Sequence, residues 1–175
     1  GISSEGEYIS RGRTPEIVHL VGTAYYYKTA RVVAKLAEIL GMTSEKNEYL
    51  NLAEAIRRAF NKQYLDEDQG IYEESPSRSG YCVLQTANLL PLQFDMVPEG
   101  QKETVMEHVI EDIHSHHDGN LATGIIGTKS MMEVLPKFDH HHLLFDIIHQ
   151  DNYPGYGYWV NNGFTTFGQN WSGTA

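Results

Sequence analysis

Residues 14–62, TPEIVHLVGTAYYYKTARVVAKLAEILGMTSEKNEYLNLAEAIRRAFNK, decide the fold. Thr14-Pro15-Glu16 reads as a helix start, with a capping hydroxyl, proline in the first turn and an acid at the positive end. From there Val18, Val21, Tyr25, Val32, Leu36 and Ile39 keep the three-and-four spacing of one helix face. Leu20, Ala24, Tyr27 and Ala34 supply a second apolar side. A helix apolar on two sides is expected to be buried on both, and Gly41 ends it. After Thr43-Ser44-Glu45 a second helix shows a single stripe, Tyr49, Leu52, Ile56 and Phe60, with Glu48, Asn51, Arg58 and Lys62 off it. The unit is therefore a buried helix, a short turn and an outward-facing helix.

That unit recurs. Residues 81–96 predict a largely apolar helix that Pro91 should kink. Residues 100–115 predict a one-sided helix, with Met106, Val109, Ile110 and Ile113 inward and Glu107 and Glu111 outward. A third pair is expected over 123–135 and 137–150. Turns within pairs are short: Gly41-Met42-Thr43, Val97-Pro98-Glu99, Pro136-Lys137. Connections between pairs, at 66–80, 116–124 and 151–164, are long and rich in Gly, Tyr, Asp and Asn. Short turns on one rim and elaborate loops on the other describe an all-α arc of inner and outer helices, with a site on the elaborate rim. Three pairs make an open arc, and a closed toroid needs more.

The chain has 175 residues, 41% hydrophobic and 21% charged, an ordinary globular balance. Thirteen basic against 23 acidic residues, a net charge of −10, argue against nucleic acid or an anionic membrane surface as partner. No apolar run approaches the roughly 18 residues of a membrane span. The opening GISSEGEY has neither the basic start nor the apolar stretch of a secretory leader. Cys82 is the single cysteine and reads as a small buried hydrophobe rather than a nucleophile. The odd feature is 11 tyrosines with 16 glycines, which suits aromatic-lined loops.

Among nine histidines, Asp139, His142, Asp146 and His149 fall on one helix face at metal-ligand spacing, but read better as a polar outer face. His114, His116 and His117 sit at a helix end, where imidazoles suit the negative dipole end. No zinc spacing accompanies either group, and no metal or cofactor is expected. Asn170-Trp171-Ser172 matches a glycosylation pattern only weakly. Tyr153-Pro-Gly-Tyr-Gly-Tyr-Trp159 is more telling. Its four aromatics separated by glycines suit a loop that stacks rings on a sugar face, since glycine lets backbone pass close to a ligand. Thr165 to Trp171, TTFGQNW, then sets amides and hydroxyls among aromatics, with no carboxylate.

Three blocks in order, Thr23 to Gly41, NLATGIIGT (Asn120 to Thr128) and YPGYGYWVNNGFTTFGQNW (Tyr153 to Trp171), resemble the catalytic domain of bacterial α-L-rhamnosidases, glycoside hydrolase family 78. The resemblance implies an (α/α)6 barrel, of which these residues would form a partial toroid of about three helical hairpins, roughly the second half of the domain. It also implies inverting hydrolysis of terminal α-L-rhamnosyl groups, in which one carboxylic acid protonates the leaving oxygen and an opposite carboxylate activates water. The expected partner is a rhamnosylated glycan or glycoside, with Tyr156, Tyr158, Trp159, Asn170 and Trp171 lining the cleft. Polysaccharide degradation of this kind favours a periplasmic or extracellular setting. The exposed inner faces of half a toroid, at Val21, Tyr25, Leu89 and Ile125, would call for the remainder of the domain or for self-association.

Two departures from the family pattern stand out. The family's acid lies in a run of the DCPQRERLGWTGD type, and no comparable run occurs in this chain. The family's TTxWExW string reads TTFGQNW here, so Gln169 occupies the general-base position. An amide orients a water but does not deprotonate it, and loss of a general base costs about 10²–10⁴ in rate. The alternative reading is accordingly a catalytically impaired, carbohydrate-binding relic on the same fold. A third, a helical repeat scaffold for another protein, fits poorly with Tyr- and Gly-rich loops on one rim only.

Overall fold

The computed structural model describes residues 17–73 and 84–166. The described residues form helices α1 (Val18–Ile39), α2 (Thr43–Tyr64), α3 (Leu84–Gln93), α4 (Lys102–His116), α5 (Ile125–Lys137), α6 (His141–Ile148) and α7 (Tyr156–Asn161), with a minimal hairpin of β1 (Leu65–Asp66) and β2 (Ile71–Tyr72). The all-α expectation of paired helices holds. The alternation of short turns and long connections holds with it.

The short turns have a common cause. α1 closes with Gly41 at φ 73° and the Met42 N–H donating to the Ala37 carbonyl at 2.9 Å. α3 closes with Asp95 at φ 58° and the Met96 N–H on the Pro91 carbonyl at 2.9 Å. α5 closes with Asp139 at φ 63° and the His140 N–H on the Leu135 carbonyl at 2.8 Å. Each left-handed residue reverses the chain at once and satisfies an orphan carbonyl, so the next helix starts within a few residues.

The core is one connected cluster. It runs from Leu20, Ala24 and Tyr27 of α1 through Ile56 and Phe60 of α2, Leu89 and Leu90 of α3 and Val109 and Ile113 of α4, to Met131 and Val134 of α5 and Trp159 of α7. α3 is buried from Gln85 through Leu92, clasped by α1, α4 and α5. Leu89, expected on an open inner face, is therefore fully buried.

α1 departs from expectation more instructively. Its buried side is Leu20, Ala24, Tyr27, Ala30, Ala34 and Ala37, where the alanines let α2 lie close. The other apolar stripe is open: Val18, Val32, Leu36 and Ile39 are 67%, 46%, 54% and 69% exposed. Contact beyond α2 comes early in α1, where Tyr25 meets Phe94, the residue after α3, edge-to-face at 5.4 Å and Lys28 stands over the same ring. Ala34 and Ala37, though buried, lie outside the connected core.

The hairpin over 65–72 lies in a segment whose sequence pattern shows only a long connection. Asp66 accepts backbone N–H bonds from Asp68 and Gln69 at 3.0 and 2.9 Å, and Gly70 at φ 70° completes the turn. β2 then buries Tyr72, whose hydroxyl donates to Asn61 at 2.8 Å.

Candidate functional site

Two of the long connections meet. Loop 117–124 leads into α5 and loop 149–155 into α7, and a side-chain carbon at Gly119 would lie 3.3 Å from the Gln150 amide nitrogen. Tyr153-Pro154 is a cis peptide. Gly157 donates its N–H to the Gln150 carbonyl at 3.1 Å. A Cβ on Gly157 would come within 2.5 Å of that carbonyl, and one on Gly155 within 2.8 Å. The close approach that glycine permits here is used by the chain on itself rather than held open for a ligand.

That knot starts α7, so three of the aromatics read as loop residues stand on a short helix. Positions 156 and 159 share a face by their spacing, and position 158 points elsewhere. Tyr156 and Trp159 accordingly pack edge-to-face at 5.9 Å, while Tyr158 pairs with Tyr153 at 5.3 Å. Tyr156 and Trp159 border a cavity of about 530 Å³ together with Met132 of α5, Ile148 of α6, Thr165 and Thr166. Burial pushes the Tyr156 phenol above its ordinary pKa, keeping it neutral and able to donate. Of the residues expected to line a cleft, the structure thus brings Tyr156 and Trp159 together on one wall and turns Tyr158 to its neighbour. Gln169, Asn170 and Trp171 lie outside the described residues.

Asp139, His142, Asp146 and His149 do not converge. Asp139 sits in the turn before α6, and the His149 ring stacks on Phe145 at 3.9 Å with Nδ1 against the Phe145 carbonyl at 2.9 Å. Among the described residues no group of three His, Cys, Asp or Glu side chains gathers as a metal site would need.

Sequence reasoning missed a buried polar junction behind the loops. Asp112 of α4 is 2% exposed, and its carboxylate accepts from Gln85 Nε2 at 2.8 Å. His117 Nε2 and His116 Nδ1 approach the same carboxylate at 3.3 and 3.4 Å. The signal was available: Asp112 is a lone acid at an inward position of the stripe Val105, Val109, Ile113. Nearby, Thr123 and Thr128 share a hydroxyl hydrogen bond of 2.8 Å at the start of α5.

Comparison with known proteins places this geometry. Residues 6–175 match the family described as the bacterial alpha-L-rhamnosidase 6 hairpin glycosidase domain. An alpha-L-rhamnosidase of Formosa agariphila is 31% identical over 153 residues, covering 87% of this chain and 16% of its own length. One from an Alteromonas species is 28% identical over 169 residues, covering 97% of this chain and 17% of its own length. Among solved structures, the alpha-L-rhamnosidase of Dictyoglumus thermophilum superposes with a TM-score of 0.84 at 31% identity, over 97% of this chain and 18% of that one. The Streptomyces avermitilis alpha-L-rhamnosidase complexed with L-rhamnose superposes with a TM-score of 0.80 at 25% identity, over 96% of this chain and 15% of that one. The chain thus spans about a sixth of the curated relatives it matches.

Proposed function

The chain belongs to the bacterial alpha-L-rhamnosidase six-hairpin glycosidase family, and on that basis we propose that it is part of a glycoside hydrolase that releases terminal α-L-rhamnosyl groups from glycans or glycosides. The observation that carries this reading is the family match over residues 6–175, supported by superposition on a rhamnosidase at a TM-score of 0.84. In this reading the 175 residues supply roughly the second half of an (α/α)6 catalytic domain. The open stripe of α1 is then a surface that the remainder of the domain covers, or a second copy in its absence. Tyr156 and Trp159 contribute an aromatic wall against the apolar face of a sugar, and the family resemblance adds Asn170 and Trp171 as sugar contacts. Tyr158 acts from behind through Tyr153.

Gln169 holds the position where the family carries its general base. As an amide it orients the attacking water without accepting its proton, so hydrolysis is slow and sugar binding is retained. Release of rhamnose from an aryl α-L-rhamnoside by the intact protein tests this. Gln169→Glu is expected to raise kcat about 10²-fold or more with little change in KM. Rhamnose binding by calorimetry, with no turnover before or after that substitution, would instead establish the carbohydrate-binding relic. Neither binding nor turnover sinks both readings.

A further inference from the structure

We infer that Gln85 and Asp112 are positioning residues: through the Ala122 N–H they fix loop 117–124, which in turn braces the aromatic loop over 150–157. Gln85 is 1% exposed and its carboxamide is spent in two directions. Its Nε2 donates to the Asp112 carboxylate at 2.8 Å, across 27 residues. Its Oε1 accepts from the Ala122 N–H at 2.8 Å, across 37 residues. An ionised carboxylate only accepts, so Asp112 dictates which end of the amide faces it and thereby aims the carbonyl oxygen at Ala122. The carboxylate is itself steadied by the His116 and His117 imidazoles 3.4 and 3.3 Å away.

From Ala122 the constraint passes both ways along the chain. Toward α5, Thr123 is bonded to Thr128 at 2.8 Å, and Gly127 packs directly on Thr86, the residue after Gln85. Toward the loop tip, Asp118 and Gly119 adopt left-handed conformations at φ 50° and 79°, and the Gly119 N–H donates to the Ile113 carbonyl at 2.8 Å. Gly119 lies beside the Gln150 side chain, whose amide nitrogen an added Cβ would meet at 3.3 Å, and the Gln150 carbonyl accepts the Gly157 N–H in the first turn of α7. Tyr156 and Trp159 flank Gly157, one residue before it and two after. A buried amide on α3 therefore sets the placement of rings on α7 without touching them.

The assignment of those rings to sugar binding rests on the glycosidase reading, and the strap itself does not. Gln85→Glu puts two acceptors face to face at 2.8 Å and deprives Asp112 of a donor. The double variant Gln85→Glu/Asp112→Asn restores one donor and one acceptor in reversed order, with the new carboxylate still able to accept from Ala122. In the intact protein, Gln85→Glu is expected to speed amide hydrogen exchange about tenfold over 117–124 and 150–157, with α1 and α2 unchanged. KM for an aryl rhamnoside is expected to rise about tenfold with kcat within about twofold, because ring placement and not the chemical step is disturbed. The double variant is expected to recover both. Unchanged exchange in the two loops overturns the strap, as does uniform acceleration across the chain that the double variant fails to rescue. The expected exchange pattern without any rhamnoside cleavage by the unsubstituted protein supports the strap and removes the glycosidase reading.

Discussion

Single residues carry much of the tolerance of this fold. Gly127 faces Thr86 so closely that an added Cβ would collide with the Thr86 hydroxyl and lie 2.8 Å from the Thr123 methyl. Gly127→Ala must push α5 off α3, and chemical denaturation is expected to show a loss of about 1–3 kcal/mol. Glu38 offers a cleaner electrostatic test. Hydrogen bonds from Lys35 and Lys46, both at 2.6 Å, lower its carboxyl to about 2 from an ordinary 4.5. A lowered folded-state pKa means that what the group contributes is complete above the unfolded value and is lost as pH falls from there through about 2. The carboxyl carbon of Glu38 should titrate near 2 by NMR and return toward 4.5 in Lys35→Met/Lys46→Met. Because the group is solvent-exposed, the melting temperature should hardly follow. Asp112 is legible in sequence as a lone inward acid, but its pairing with Gln85 is not. A polar residue in an apolar helix declares that it has a partner, but the partner lies 27 positions away.

Elements were read well where periodicity carried the signal and poorly where chain reversal did. Gly41 announced the end of α1, since glycine is the usual occupant of a left-handed position. Asp95 and Asp139 take the same conformation without that announcement, and α3 and α5 accordingly end at Gln93 and Lys137, two residues or more from the ends the periodicity predicts. Asp139 has little to lose: it pairs with the His141 imidazole at a long 3.7 Å, and its side chain is 99% exposed. Asp139→Gly is therefore expected to raise stability by about 0.5–1 kcal/mol, readable in a denaturant midpoint. Asp95 should respond less, because Lys137 reaches it at 2.6 Å. The hairpin at 65–72 and helix α7 escaped for want of length. Two-residue strands and a six-residue helix hold too few positions for a period to show.

At the scale of the whole molecule, the two-sided apolarity of α1 was legible and its occupancy was not. Sequence distinguishes a helix that wants two neighbours from one that wants a single neighbour, but it does not say which neighbour is present. Here the alanine side is filled by α2 and the Val32, Leu36, Ile39 side is open. The 175-residue chain by itself is expected to associate through that stripe in sedimentation experiments, and Val32→Lys/Leu36→Lys to return it to a monomer. A monomer without those substitutions would show that the stripe tolerates water. Among the described residues, the outer ends of α1 and α2 meanwhile lie against each other, with Ala34 and Ala37 buried apart from the common core. Their contacts link residues close in sequence, so little chain entropy opposes their closure. This antiparallel pair can zip shortly after Tyr64 is synthesised, before α3 exists, and then serve as the surface on which α3 condenses.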